Sequence, residues 1–229
     1  MNKDNDYSRD KFEAYLGNYL NFWSYLNTYH NAFNALIDDV NKTKLHVDRI
    51  AYAMLFLVRH CLELGFKANI RYFQKYSERK EFTNSDSHIL KNLFDGFKLH
   101  VTYTIKNLKD KFDIEVEQAD KTEFAEYCKE VESLIDQFEI IDRTSINFRY
   151  PVDNNNNFVF KQGDKVNILD IKEVFDKAMV LLYHTSDVFA KYTDYADTIE
   201  QIYEEEMKRA YQEGMASAYV EAMRNSMGY

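Results

Sequence analysis

The segment from Asp142 to Pro151 holds residue types that could recognise an anion. Within it, Arg149 lies between two aromatic residues, Phe148 and Tyr150, and the only proline of the chain follows. A residue that precedes proline favours extended geometry, so the chain is predicted to leave a helix at this point. An arginine fixed between two rings offers a planar, permanently charged group to a carboxylate or a phosphate. Alternatively, Arg149 pairs within the chain and only holds the loop, the candidate carboxylates being Asp142, Asp153 and Glu63.

Several standard signatures of catalysis or metal binding do not occur in the sequence. The six glycines are isolated, so there is no glycine-rich phosphate loop, and neither a His-Glu-x-x-His motif nor a Cys-x-x-Cys pair is present. We therefore expect no metal and no cofactor. Cys61 adjoins His60, but neighbours in a helix point about 100° apart, so this pair is not a dyad by spacing alone. Cys61 and Cys128 fall in apolar stretches and are predicted to be reduced core thiols.

The overall composition predicts a helical protein. One proline and six glycines in 229 residues are few helix breakers, which favours long helices. The formal charge of -9 argues against a generic nucleic-acid binder, because phosphate binding relies on clustered Lys and Arg, but it allows a local basic pocket. The polar start and the absence of an apolar run of about 20 residues predict a cytoplasmic protein without a membrane span.

Apolar residues at steps of three and four predict the helices that must position these groups. A first helix is expected over 12–40 and a second over about 44–80. On the second helix, Arg59, Glu63 and Lys67 follow one another at i,i+4 spacing, which usually forms an exposed ladder of charges.

Three more helices and one hairpin complete the predicted bundle. The third helix should begin at a capping residue among Ser85, Asp86 and Ser87, the fourth at 120–123, and the fifth should run over 170–192. The segment at about 158–167 alternates around Gly163 and predicts a small β-hairpin. We therefore predict an all-α fold, an antiparallel helical bundle over residues 1–194 with this hairpin inserted.

The C-terminal extension, residues 195–229, is expected to be one more helix with an unusual apolar pattern. Its apolar residues recur strictly every four positions, at Tyr195, Ile199, Tyr203, Met207, Tyr211, Met215, Tyr219 and Met223. An α-helix has about 3.6 residues per turn, so each step overshoots by about 40° and the stripe winds around the helix. We expect its later part either to contact a partner protein or a second copy of the chain, or to form an extended tail.

Three segments, in a fixed order, resemble the sequence landmarks of HEPN-type proteins of prokaryotes. The first is Leu62-Glu63-Leu64-Gly65-Phe66-Lys67-Ala68 and the second is Ser87-His88-Ile89-Leu90-Lys91-Asn92-Leu93. The third consists of Asp142, Ser145 and Phe148-Arg149-Tyr150-Pro151. The resemblance covers roughly residues 45–190 and implies a helical bundle that often forms homodimers. It also implies a role in RNA-directed defence or in a toxin–antitoxin system.

The chain departs from the catalytic members of that family. Those ribonucleases carry an arginine followed, after four to six residues, by a histidine, and both groups cleave RNA at a dimer interface without a metal. No arginine of this chain has a histidine at that spacing. A composite site would form if folding brought His88 next to Arg149. His88 would then move protons near neutral pH, and Arg149 would stabilise negative charge on the reacting phosphate.

Three functions follow from these residues and from the resemblance. The leading one is a HEPN-like protein of a defence or toxin–antitoxin system that binds RNA, a nucleotide or a protein partner. The second is a metal-independent ribonuclease that uses Arg149 and His88, and the third is a structural assembly subunit without a small ligand. The predicted polar pocket of the leading function is formed by Glu63, His88, Asp142, Ser145, Arg149 and Tyr150.

Overall fold

Five α-helices make up most of the chain in the computed structural model, which describes residues 9–17, 20–43, 46–79, 86–153 and 155–226. Short 3-10 turns, Arg9–Phe12 and Val47–Arg49, precede the first two helices. The helices are α1 (Phe22–Lys42), α2 (Ala51–Ser77), α3 (Leu90–Phe112), α4 (Gln118–Asp142) and α5 (Ile168–Ser226). No β-strand occurs in these described ranges, which confirms the prediction of an all-α helical bundle.

Helix α2 lies at the centre of the bundle. Every residue from Cys61 to Ile70 is buried, so no face of this part of the helix meets solvent. Its neighbours approach closely at Gly65, where an added Cβ atom would lie 2.5 Å from Leu182 and 2.9 Å from Leu26. The missing side chain of Gly65 therefore lets α1 and α5 pack against α2 from two sides.

The helices of the bundle run in mixed directions. Helix α3 runs parallel to α2, because Phe94 near its start contacts Phe66, and Asn107 near its end donates hydrogen bonds to the carbonyls of Tyr76 and Ser77. Helix α5 also runs parallel to α2, because Leu182 meets Asn69 and Thr193 meets Tyr72 further along both helices. Helix α1 runs antiparallel to α2, and α4 runs antiparallel to α3. The prediction of an antiparallel bundle therefore needs correction, because α3 and α5 run parallel to α2.

The predicted starts of the first three helices need correction. Helix α1 begins ten residues later than predicted, at Phe22, where the side chain of Asn21 accepts a hydrogen bond from the Ser24 amide. The second helix likewise starts late, at Ala51 rather than at about residue 44. Helix α3 begins at Leu90, and its N-cap residue, Ile89, makes no side-chain capping bond. Of the three predicted caps, Ser87 accepts a hydrogen bond from the Ile89 amide, and Ser85 lies outside the described residues.

The predicted β-hairpin at 158–167 is wrong. These residues form turns, and the bridge that the structure records pairs Val152 with Phe158 as an isolated antiparallel contact. Aspartate side chains bind the local backbone instead: Asp153 accepts from the Asn157 amide, and Asp164 accepts from the Lys161 amide. Such local hydrogen bonds compete with a strand ladder, which explains why the alternating pattern does not become a hairpin.

The last two predicted helices are one continuous helix, α5, of 59 residues. Its first half packs in the bundle, and the last buried residue is Ala196. From Glu200 to Ser226 every residue is exposed. None of the described helices is long and apolar enough to cross a membrane.

Candidate functional site

A buried network of charges on α2 forms the centre of the candidate site. The guanidinium of Arg59 is 1% exposed and donates to the Asp142 carbonyl at 3.0 Å, to Glu63 at 3.2 Å and to the His88 carbonyl at 2.5 Å. Glu63 and Lys67 are buried as well. The expectation that Arg59, Glu63 and Lys67 form an exposed ladder is therefore wrong. Backbone carbonyls that end α4 and precede α3 take the place of water around Arg59.

Glu63 collects the positive groups of this network. One carboxylate oxygen accepts a hydrogen bond from Lys67 at 2.9 Å and lies 2.8 Å from Nδ1 of His88, while the other faces Arg59. Burial by itself would raise the pKa of Glu63, but the hydrogen bonds and charges of Lys67 and His88 outweigh it and lower that pKa. Glu63 is thus held ionised among its partners.

Asp142 connects the network to the segment that the sequence singled out. It is the last residue of α4 and is buried, with Oδ1 accepting hydrogen bonds from the Ile146 and Asn147 amides at 2.8 and 2.9 Å. Its Oδ2 lies 3.4 Å from Nε of Arg59. The carboxylate therefore shapes the turn after α4 on one side and neutralises Arg59 on the other.

Arg149 lies on the outer side of this turn and is exposed. Its Nε donates a hydrogen bond to the carbonyl of Ser145 at 2.6 Å, and its guanidinium lies 5.7 Å from the ring centre of Tyr150. Ser145 adopts a left-handed backbone conformation, with φ of 65°, that turns its carbonyl toward Arg149. In the part of the chain that the structure describes, no carboxylate forms an ion pair with Arg149, which disfavours the internal partners considered above.

The structure brings some of the predicted site residues into direct contact and leaves others at the rim. Glu63 touches His88, and Arg59 joins both to Asp142, while Ser145 and Arg149 follow on the attached turn. Tyr150 is more than half exposed. No contact joins His88 to Arg149 among the described residues, so the predicted pair is not assembled as a hydrogen-bonded unit.

His60 is a residue of this region that sequence reasoning missed. It is half-buried, its ring stacks on Phe56 at 5.5 Å, and it meets the edge of Tyr29 at 4.7 Å. Burial lowers its pKa, Glu63 opposes that shift, and the positive charges of Arg59, Lys67 and Arg149 add to it. The signal was available in the sequence, because His60 precedes Glu63 by three residues and therefore lies beside it on a helix.

An open groove borders the site at the start of α2 and the end of α4. Its volume is about 770 Å³, and its walls include Tyr52, Leu55, Ile140 and Phe160. Asn147, which Asp142 holds in place, lies on the same wall. Apolar walls next to a polar network are typical of ligand sites.

The arrangement can bind an anion and could move a proton. Arg149 offers a charged planar group on the surface, and Glu63 orients the exposed imidazole of His88 through Nδ1, which leaves Nε2 directed away from this contact. Across the described ranges, no three His, Cys, Asp or Glu side chains gather closely enough to hold a metal ion. No protein-family model, curated protein or solved structure matches the chain.

Proposed function

We propose that the chain is a HEPN-like protein of a prokaryotic defence or toxin–antitoxin system that binds the phosphates of RNA or of a nucleotide at Arg149. The observation that supports this most is the state of the Arg149 side chain. It is exposed and anchored through Nε to the Ser145 carbonyl, and no carboxylate of the described chain neutralises it. A guanidinium held in this way keeps its outer nitrogens for a bidentate contact with a phosphate.

The charge balance behind Arg149 supports the same function. Two cations, Arg59 and Lys67, face two carboxylates, Glu63 and Asp142, so the buried network roughly neutralises itself. The positive charge of Arg149 is then added at the rim. Such a local basic site is compatible with the net charge of -9, because the net charge does not fix how charge is distributed over the surface.

Binding of a fluorescent single-stranded RNA of mixed sequence, followed by polarisation, tests this function. We expect Arg149→Ala to weaken binding by about tenfold, the effect of losing about 1.4 kcal/mol from one phosphate contact. The slope of log affinity against log salt should fall by about one. Arg209→Ala removes the same charge from the exposed part of α5 and should leave both quantities unchanged.

Two outcomes would contradict this function. If both variants weaken binding equally, the RNA senses only overall charge. If the wild-type protein binds neither the RNA nor a nucleoside triphosphate at low salt, the Arg149 turn is not a phosphate site.

A metal-independent ribonuclease is a second candidate, favoured by the 2.8 Å contact between Glu63 and His88. A carboxylate that holds one imidazole nitrogen prepares the other nitrogen to exchange a proton with a ribose hydroxyl or a leaving oxygen. Arg149 would then stabilise charge on the phosphate as the 2′ oxygen attacks.

Cleavage of single-stranded RNA in the presence of a chelator tests this candidate. His88→Ala should remove at least about two orders of magnitude of rate, the usual contribution of a general acid or base. Arg149→Ala should also abolish cleavage. If His88→Ala still binds RNA but does not cleave it, His88 acts in catalysis and not in binding. Cleavage that persists in both variants would exclude these roles.

A further inference from the structure

The second half of α5 carries a surface that the bundle does not cover. We call residues 200–226, which are all exposed, the α5 extension; it is about 40 Å long at 1.5 Å per residue. Its large apolar side chains are half to three-quarters exposed, as in Tyr203 at 60%, Met207 at 72% and Tyr211 at 70%. Continuous apolar surface of this kind marks a contact site on a protein, because it is unfavourable in water.

The side chains of the α5 extension form two parallel rows. The large row contains Tyr203, Met207, Tyr211, Met215, Tyr219 and Met223, and the small row contains Ala210, Gly214, Ala218 and Ala222. Both rows repeat every four residues, so they follow the same inclined ridge direction of an α-helix. Each small residue comes three positions after a large one and therefore lies beside it. The result is a high ridge next to a shallow groove.

We infer that a second copy of this chain packs across the α5 extension near residue 213, with the two extensions crossing as antiparallel helices. When ridges of i,i+4 spacing pack into matching grooves, two helices cross at about -50°. The ridge and groove lie side by side on one helix. A two-fold axis therefore places the ridge of each copy in the groove of the other. This self-complementarity favours a second copy over an unrelated partner, and it does not depend on the function of the Arg149 site.

The charges of the α5 extension set the direction of the pair. Residues 200–207 contain four carboxylates, Glu200, Glu204, Glu205 and Glu206, and no Lys or Arg. Residues 208–226 contain three cations, Lys208, Arg209 and Arg224, and two carboxylates. A parallel pair would place the acidic segments against each other, whereas an antiparallel pair places each near the more basic half of its partner. The same carboxylates disfavour an anionic membrane surface as the occupant.

The mass of the full-length protein in solution is the first test. The wild type should be a dimer by light scattering in the micromolar range. Tyr211→Lys places a charge in the ridge and should give the monomer mass, or raise the dissociation constant at least tenfold. Gln212→Lys adds the same charge on the adjacent residue, which belongs to neither row, and should remain dimeric.

Gly214→Leu separates packing in the groove from the stability of the helix itself. A Cβ atom at Gly214 meets nothing within 4 Å in the single chain, and leucine is the better helix former. The helical circular dichroism of a dilute sample should therefore stay equal or increase. The dimer should weaken at least tenfold, because the added side chain fills the groove that the partner ridge needs.

The direction of the pair is measured with a spin label on Glu200→Cys. A crossing centred near residue 213 separates the two labels by about 35–40 Å in the antiparallel pair and by about 15–20 Å in a parallel one. A monomeric wild type would overturn the inference and leave either a foreign partner or an extended tail. A dimer that survives both Tyr211→Lys and deletion of residues 205–229 would also overturn it, by locating the interface elsewhere.

Discussion

Two rows of charges with the same sequence spacing occupy opposite environments in this protein. On α2, Arg59, Glu63 and Lys67 are joined at 3.2 and 2.9 Å and are nearly completely buried. On α5, Lys208 lies 3.7 Å from Glu204, with side chains 73% and 65% exposed. The i,i+4 pattern alone predicts the same surface ladder for both. What differs is whether neighbouring helices cover the polar face.

Ion pairs of the same type and spacing contribute very different free energies of stabilisation in the two environments. An exposed pair is screened by water and contributes about 0–1 kcal/mol. In a buried network, removing one partner leaves another charge without compensation and costs about 3–5 kcal/mol. The comparison therefore predicts that substitutions at matched positions of α2 and α5 have effects of different size.

The largest difference is expected between Arg59→Met and Lys208→Met. Arg59→Met leaves Glu63 and Asp142 without their shared cation and should lower the free energy of unfolding by about 3–5 kcal/mol in urea titrations. Lys208→Met should change it by less than about 0.5 kcal/mol. If Arg59→Met does not fold, Arg59→Lys keeps the charge and tests the loss of the planar group. An Arg59→Met protein as stable as the wild type would show that the network does not stabilise the fold.

Two helical glycines provide the next comparison. Gly65→Ala places a Cβ atom 2.5 Å from Leu182, and this overpacking should cost about 1–3 kcal/mol in unfolding free energy. Gly214→Ala meets no neighbour and should be neutral or gain up to about 1 kcal/mol, from the higher helix propensity of alanine. Thermal melts of both variants at one low protein concentration measure the difference. Equal effects would mean that α1 and α5 do not approach α2 closely at Gly65.

The loss of stability at acid pH tests whether Glu63 is ionised in the folded protein. Its pKa is lower in the folded protein than the ordinary value of 4.5, despite burial, because of Lys67 and His88. The ionised carboxylate therefore stabilises the fold above pH 4.5, and this contribution is lost as the pH falls through the lower folded pKa. Stability measured from pH 7 down to pH 3 should fall more steeply in the wild type than in Glu63→Gln. Glu204→Gln removes an exposed carboxylate from α5 and serves as the matched control.

The last comparison uses the reactivity of thiols. Cys61 and Cys128 are not substituted, so this test leaves stability unchanged and measures only how well each thiol is shielded. Burial raises the pKa of Cys61 and of Cys128 to about 12, so both thiols stay protonated and shielded. A maleimide reagent at pH 8 should modify neither thiol in the native protein and both in urea, as counted by mass spectrometry. A cysteine introduced at Glu200 on the α5 extension should react at once. Modification of Cys128 without urea would show that the bundle opens between α3 and α4.

The arrangement of the chain into helices was largely determined by the sequence itself. Apolar residues at steps of three and four, together with few prolines and glycines, predict the helices, since an amphipathic stripe must be buried for a helix to be stable. They do not show that the last two predicted helices are the single helix α5. The same local pattern predicted the buried positions of Cys61 and Cys128. It also drew attention to the turn after Asp142, because the only proline and a run of polar residues interrupt the pattern there.

Only the tertiary structure decided which polar groups are buried and with what partners. The spacing of Arg59, Glu63 and Lys67 says nothing about the carbonyls of His88 and Asp142, which come from distant parts of the chain and replace water around the guanidinium. The position of Arg149 outside this network depends on the left-handed turn at Ser145, which periodicity does not encode. The α5 extension shows the reverse case: its winding apolar row is visible in the sequence, but its exposure follows from the bundle ending at Ala196. Burial depends on how the other helices pack, and the residue pattern of one helix does not specify which helices lie next to it.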